Sequence, residues 1–328
     1  MPQQTIETQD QIAPVKWYRT AIPKEQLRSL TGRSNLAGLL QIGSQLALAA
    51  LIGVIFWWSW YHWPWWLTAL IAYGYGQVFG FIGEAAAGHE LSHQTPFKSR
   101  RLNEFFLRLT AFLTWSNYIR FRVSHREHHK FTAHYPQELE VVLPKTMSKL
   151  DWVLAFVPNP VYFLTNMWGH LRRSFGVISG PWENRLFPPE KKQLRRDLIN
   201  WSRFILVGHV VLAGLFVYFQ LWPLLVLVTF GVYLGSWLVP ACTMPQHVGL
   251  SPNTPDFRLC TRTMYLGPLL QFLYWNMNYH IEHHMYASVP FHRLSKLHEA
   301  IRHELPPVKK GILANWREMI PVMARQRK

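Results

Sequence analysis

Four long runs of this chain are apolar and almost free of charge, and no other feature limits its fold as strongly. Residues 35–60 contain no Lys, Arg, Asp or Glu, residues 63–88 contain one acid, Glu84, and residues 204–220 and 222–242 again contain none. A helix that crosses a bilayer needs about 20 apolar residues. The first two runs meet at Tyr61-His62-Trp63-Pro64 and the second two at Gln220-Leu221-Trp222-Pro223. Proline suits the first turn of a following helix. The pattern reads as two helical hairpins, with four spans at about 37–60, 64–88, 204–220 and 222–242. Residues 89–203 and 243–328 would form a helical cap. The expected fold is all-α and integral to the membrane, a single domain over 1–328. Trp57, Trp58, Trp60, Trp63, Trp65 and Trp66 crowd the first turn and Trp222 marks the second, as in the tryptophan belts found at headgroup level.

The basic residues give the orientation. Of 34 Lys and Arg, 5 precede the first hairpin, 18 lie between the hairpins and 11 follow the second, while the two short turns have none. Positive charge stays on the cytoplasmic side, so both termini, the long middle segment and the cap are expected there. A soluble helical protein would not sort its basic residues this way. The formal net charge of +16 follows from topology rather than from nucleic-acid binding. It would attract an acidic protein partner, with anionic lipid headgroups as the competing use. The first 33 residues are polar and mixed in charge, and no cleavable signal peptide is expected among them. Cys242 and Cys260 build no disulfide framework and no CxxC. Two weaker apolar stretches, 102–115 and 152–168, are interrupted by charge or proline and are expected to lie on the membrane surface. Residues 187–203, with Lys191, Lys192, Arg195 and Arg196, are expected to be solvated or to face headgroups.

Sixteen histidines cluster in three boxes: His89-Glu90-Leu91-Ser92-His93, His125-Arg126-Glu127-His128-His129, and His280-Ile281-Glu282-His283-His284. Spacings of three and four put imidazoles on one helix face. Eight imidazoles exceed the needs of one tetrahedral zinc and suit two metal ions with several nitrogen ligands each. Imidazole serves Fe, Zn, Cu and Ni, so the ligands alone do not name the metal. His89 and His93 would lie roughly 8–13 Å beyond the cytosolic boundary if the second span continued as a helix. HELSH also fits HExxH, in which Glu90 would be the base of a zinc protease, although that chemistry needs only one further protein ligand. Glu90, Glu127 and Glu282 are candidates to orient ligand histidines, with solvated acids as the alternative. Glu84, costly in lipid, is a functional candidate, with an interfacial role as the alternative. His209 reads as a packing or hydrogen-bonded residue inside the third span and His62 as part of the opposite-side turn. His170, His292, His298 and His303 read as surface residues, and His134 has no assigned role.

The three boxes with two hairpins resemble the membrane fatty acid desaturases and their hydroxylase relatives, over about residues 63–305. The extended run Trp275-Asn276-Met277-Asn278-Tyr279-His280-Ile281-Glu282-His283-His284, followed by Val289-Pro290 and Leu294, carries the resemblance furthest. It implies two non-heme irons, O₂ as oxidant, a lipid acyl substrate and electrons from a separate ferredoxin-, rubredoxin- or cytochrome-like protein. Hydrogen would be removed from a methylene of the chain. Loss of a neighbouring hydrogen gives a double bond, whereas return of oxygen gives an alcohol. HELSH is closer to the HELGH of membrane alkane hydroxylases, and Ala287 stands where relatives often have proline. Desaturation is the expected outcome, with hydroxylation as the alternative. Relatives often carry a further histidine shortly after the last span, and His247, roughly 8 Å past the fourth run if the helix continues, is expected to be a ninth ligand.

Overall fold

The computed structural model describes residues 13–143, 146–235 and 237–326. After an extended arm come α1 (Lys24–Leu30) and α2 (Asn35–His62), then α3 (Trp65–Gly80) and α4 (Ala87–Ser92). The middle segment folds into α5 (Arg100–Leu113), α6 (Tyr118–Phe131), α7 (Lys149–Phe156), α8 (Pro160–Ser174) and α9 (Pro181–Leu186). Next are α10 (Lys192–Tyr218), α11 (Trp222–Leu224), α12 (Leu238–Thr243) and α13 (Phe257–Cys260). The chain closes with α14 (Pro268–Leu273), α15 (His280–Met285), α16 (Leu294–Ile301) and α17 (Ile312–Gln326). Two short parallel strands, β1 (Met264–Tyr265) and β2 (Lys309–Lys310), tie the end of the chain to the cap.

Local sequence explains where the helices begin. Ser34, Ser99, Asn117 and Asn159 each accept a hydrogen bond from a first-turn N–H of α2, α5, α6 and α8, and Ser148 with Asp151 closes a capping box on α7. Such caps satisfy donors that the first turn otherwise leaves unpaired.

Two helices, α2 and α10, are long and apolar enough to cross a membrane. Their outer faces expose Leu36, Leu40, Leu51 and Val54 on α2, and Val207, Val210, Val211 and Leu215 on α10. The other two apolar runs depart from the expected continuous helices. The second stops at Gly80, passes through turns over residues 81–86 and restarts at Ala87. Glycines permit that break: a Cβ on Gly88 would lie 2.9 Å from the Gly83 carbonyl oxygen, and one on Gly83 would lie 3.2 Å from the Thr114 hydroxyl. His89 therefore sits on a redirected helix, and the rise along one straight helix does not measure its depth. The fourth run is α11, a wide turn over Leu225–Thr229, a tight turn over Gly231–Tyr233 and then α12. It passes so close to α3 that a Cβ on Gly76 would lie 2.5 Å from the Gly235 nitrogen. The run of apolar residues does not reveal this, because backbone contact replaces helical regularity.

The third run begins earlier than expected. Residues 192–203 belong to α10, the basic turns simply continuing the helix. The expected surface stretch at 102–115 is α5, and that at 152–168 splits into α7 and α8 around Pro158. Val153, Phe156, Val161, Leu164 and Trp168 are exposed along α7 and α8.

The cap and α2 are joined by polar pins. Gln41 Nε2 donates to the Phe272 carbonyl at 2.7 Å, Gln45 Nε2 to the Leu273 carbonyl at 3.2 Å, and the Trp275 indole N–H to Gln45 Oε1 at 2.7 Å. Trp275 and Asn276 both have positive φ, 50° and 57°. That backbone costs about 1–2 kcal/mol at a residue other than glycine. At Trp275 the cost is offset by full burial of the indole, and the turn delivers α15 to the site.

Candidate metal centre

The second and third histidine boxes divide their imidazoles by helical geometry, while the first sends both of its own to one cage. On α6, His125 and His129 share one face and His128 turns to the next, and on α15, His280 and His284 share a face while His283 points elsewhere. The result is two nitrogen cages. His89, His93, His125, His129 and His283 form one, and His128, His247, His280 and His284 form the other, with the nitrogens of each group within 4.8 Å of one another. Helices α6 and α15 contribute to both, so the cages abut: the rings of His129 and His284 stack with centroids 4.4 Å apart.

The nitrogen spacings fit metal ligation. His129 Nε2 lies 3.1 Å from His125 Nε2 and 3.2 Å from His283 Nε2, and His280 Nε2 lies 3.0 Å from His247 Nε2 and 3.1 Å from His284 Nε2. Two nitrogens bound at right angles to one ion at about 2.1 Å stand about 3 Å apart. The Nε2 atoms of His89 and His93 are buried and have no hydrogen-bond partner. A cation would satisfy both, and buried polar atoms are otherwise rarely left unpaired.

Burial pushes the pKa values of His89, His125, His129, His280, His283 and His284 well below the usual imidazole range, and the surrounding imidazoles add repulsion. Burial also takes His93 to about 4 and His247 to about 3. These rings are therefore neutral, with a lone pair to give. His128 differs: burial lowers it, but Glu138 and then Glu140 outweigh that and raise it.

The outer nitrogens find partners that the box pattern does not contain. His125 Nδ1 meets Glu140 Oε1 at 2.8 Å, and His128 Nδ1 faces Glu138 Oε1 at 3.4 Å. His284 Nδ1 meets the Thr132 hydroxyl at 3.1 Å, and His247 Nδ1 donates to the Cys260 carbonyl at 3.1 Å. Such partners fix the tautomer and aim of a ligand ring. Glu90 stands 3.6 Å from His283 Nδ1 and 3.9 Å from His89 Nδ1, and its other oxygen accepts from the Phe291 N–H and the Thr95 hydroxyl. Glu127 instead pairs with Lys130 at 2.6 Å, and Glu282 holds His298 and the Thr263 hydroxyl. Two of the three acids inside the boxes thus do not orient a box histidine.

All nine expected histidines converge. Of the others, His298 is buried between Glu282 and Tyr265, and His170 is buried with Nε2 on the Trp115 carbonyl at 2.8 Å, so neither is the expected surface residue. His209 bonds the Phe112 carbonyl and stacks on Trp115 and Phe112, in keeping with a packing role, and His62 stacks on Trp58. His134 bonds the Thr132 carbonyl and stays outside both cages. Cys242 and Cys260 are free and buried. Sequence reading missed Glu138 and Glu140. Their only signal is two acids interleaved with the apolar Leu139 and Val141-Val142-Leu143.

Three cavities reach this region. One of about 350 Å³ runs along His89, His128, His247 and His280 and is walled by Phe121, Val141, Met244 and Met277. A second, of about 430 Å³, shares Glu84 and Ala85 with it. The third, of about 980 Å³, has His93 and His129 at its base and Arg19, Arg100, Arg122, Arg126 and Lys130 around it.

A family model described as Fatty acid desaturase matches residues 64–316. The chain is 25% identical over 295 residues to an omega-3 fatty acid desaturase of the endoplasmic reticulum from Vigna radiata var. radiata, covering 84% of this chain and 73% of that one. It is 26% identical over 262 residues to a Delta(6)-fatty-acid desaturase of Caenorhabditis elegans, covering 69% and 56%. It is 26% identical over 309 residues to an sn-1 acyl-lipid omega-3 desaturase (ferredoxin) of Nostoc sp. (strain 36), covering 87% and 79%. The chain therefore spans about three quarters of the first relative and just over half of the second.

Proposed function

The chain belongs to the fatty acid desaturase family and is an oxidoreductase, and from that premise we propose that it desaturates a lipid acyl chain with two irons held by the nine histidines. The single observation that carries this reading is the pair of abutting all-nitrogen cages. A cage of five histidines that includes the two of HELSH, where a catalytic zinc takes three protein ligands, and a Glu90 carboxylate engaged by Phe291 and Thr95 argue against a zinc protease.

When bound, the irons would supply the O₂ chemistry that removes hydrogen from an unactivated methylene. Desaturation of a –CH₂–CH₂– pair consumes O₂, two electrons and two protons and releases an alkene and two waters. The protein's part is position and environment. Glu140, Thr132 and the Cys260 carbonyl hold ligand rings in their tautomers, and Glu138 places its charge beside His128. The apolar cavity beside His89 and His280 seats the chain and keeps bulk water away. The basic funnel over His93 and His129 suits docking of an acidic electron donor. A ferredoxin, named for the Nostoc relative, is one such class.

The same reading places four crossings in two hairpins, with both termini and the cages on the cytosolic side. The exposed apolar faces of α2 and α10 support it, as does the sorting of basic residues. α3 with α4, and the irregular 222–243 segment, would complete the hairpins. Irregular backbone is tolerated at membrane depth where protein buries it, and residues 231–233 are buried against α3.

Lipid profiling by mass spectrometry, after expression in a host lacking the activity, tests the proposal. A product lighter by two hydrogens is expected. A product carrying an added oxygen and no alkene would replace desaturation by hydroxylation.

A further inference from the structure

Helices α5, α6 and α10 frame two adjoining surface grooves, of about 590 and about 670 Å³. The grooves share Glu104, Arg108, Trp201 and Phe204 with each other, and no residue with the two cavities that meet at Glu84. Steps of four, three and four put Arg101, Phe105, Arg108 and Phe112 on one face of α5, and all four line the larger groove. Its floor is aromatic. The rings of Phe112 and Phe204 have centroids 5.4 Å apart, and those of Trp201 and Phe204 5.1 Å apart. Phe112 reaches α10 because residue 208 is glycine, where a Cβ would lie 2.6 Å from the ring.

The smaller groove is charged. Arg108, Arg122 and Arg126 line it with Glu104 and Asp197, and Arg101 adds a fourth cation in the larger groove. Both acids are engaged: Glu104 accepts from Arg122 at 2.7 Å and from Gln94 at 2.9 Å, and Asp197 accepts from Gln193 at 2.7 Å. Arg101, Arg108 and Arg126 are exposed and make no ion pair among the described residues. Charge gives way to hydrocarbon at the same level. The last charge on α10 is Arg203, and Phe204 begins its uncharged run. Phe204 is 54% exposed, and Val207 and Val211, further along the same face, are exposed as well. Cations over an aromatic floor that continues into an exposed apolar helix face match an amphiphile with an anionic head. An acidic protein would match the cations alone.

We propose that these grooves hold one anionic phospholipid, away from the reacting site. Its phosphate lies beside Arg108, with Arg101 and Arg126 to either side, and one acyl chain runs over Phe105, Phe112 and Phe204 and on along Val207 and Val211. The inference goes beyond the reaction and rests only on the membrane placement of α10. Each exposed arginine near an anionic headgroup is worth about fivefold in affinity. Helix α5 packs against α4 and α6, which carry the first two histidine boxes, so the lipid ties that side of the cap to headgroup level.

The test uses the full-length protein in detergent with phosphatidylglycerol and phosphatidylcholine of identical chains, each carrying a diazirine in one acyl chain. Phosphatidylglycerol should label residues within 101–112 and 201–211 several-fold more strongly than phosphatidylcholine. Equal labelling of those segments by the two lipids overturns the proposal. So does labelling by phosphatidylglycerol confined to other parts of α2 and α10, which would leave the membrane placement of those helices intact. Arg101→Gln with Arg108→Gln, both outside the basic funnel, should lower groove labelling by phosphatidylglycerol about 25-fold, about fivefold per arginine. Arg19→Gln, on the funnel, should leave it unchanged. Wild-type labelling in the double variant, with circular dichroism like that of the wild type, or an equal loss in Arg19→Gln, overturns the assignment of the two arginines.

Discussion

Replacing Glu140 by leucine should weaken iron binding about 10–70-fold. Glu140 Oε1 lies 2.8 Å from His125 Nδ1, and its other oxygen accepts from the Ser124 hydroxyl. A hydrogen bond to a charged acceptor contributes about 1.5–3 kcal/mol. The carboxylate side chain is 20% exposed, so solvent screening trims the upper end, to about 1.5–2.5 kcal/mol. At 1.4 kcal/mol per tenfold that is the stated range, and it falls within the 10–100-fold typical of outer partners of metal ligands. Glu140→Gln keeps an acceptor without its charge and should fall between leucine and wild type. Glu127→Gln, one residue from a ligand in sequence but paired to Lys130, should change affinity less than about twofold. Competition of detergent-solubilised protein with a colorimetric iron chelator measures this, with circular dichroism as the check on folding. Wild-type affinity in folded Glu140→Leu, or an equal loss in Glu127→Gln, would refute the assignment of orienting carboxylates.

The two cages should be separable. His247→Ala leaves the five-histidine cage whole and removes one of four ligands from the other, so iron should fall from two towards one per chain with loss of product, and full iron with normal turnover would exclude His247 as a ligand. A cysteine introduced at position 62 should react with a membrane-impermeant maleimide only from the non-cytosolic side, and cytosolic labelling would reverse the topology. His170 makes stability depend on pH in a defined direction. Its folded pKa, about 4, lies below its ordinary 6.5, so between these values the unfolded chain binds the extra proton. Stability contributed at neutral pH is then lost as pH falls from 6.5 to 4, by up to about 3 kcal/mol. The melting temperature of wild type should drop more steeply over that interval than that of His170→Gln, and parallel curves would contradict a buried neutral His170.

The histidines that gather in the two cages were legible in the sequence because their signal is local. A helix face is set by spacing, so His125 and His129, or His280 and His284, declare a shared direction before any fold is known. Apolar run length exposed α2 and α10 in the same way, since each is a regular helix whose outer face remains exposed. The runs at 63–88 and 222–242 look equivalent on paper and fold otherwise. What breaks them is pairwise: Gly88 against Gly83, and Gly76 against Gly235. A glycine that permits backbone contact looks, in one sequence, like a glycine that merely weakens a helix.

The same distinction explains the carboxylates. Glu127 and Glu282 lie inside boxes, where sequence proximity made them candidates, yet a residue between two ligands on a helix is rotated away from the face they share. Glu127 accordingly meets Lys130, and Glu282 meets His298 on α16. The outer nitrogens of His125 and His128 point past their own helix, so their partners must come from a segment that crosses it. The 134–143 loop does this, folding back over α6 and bringing Glu138 and Glu140 to nitrogens 10 and 15 residues earlier. Nothing periodic marks such a loop. The useful sign is chemical: an acid in an apolar stretch near a histidine cluster must find a partner when it is buried, and the nearest donors are the outer N–H groups of those histidines.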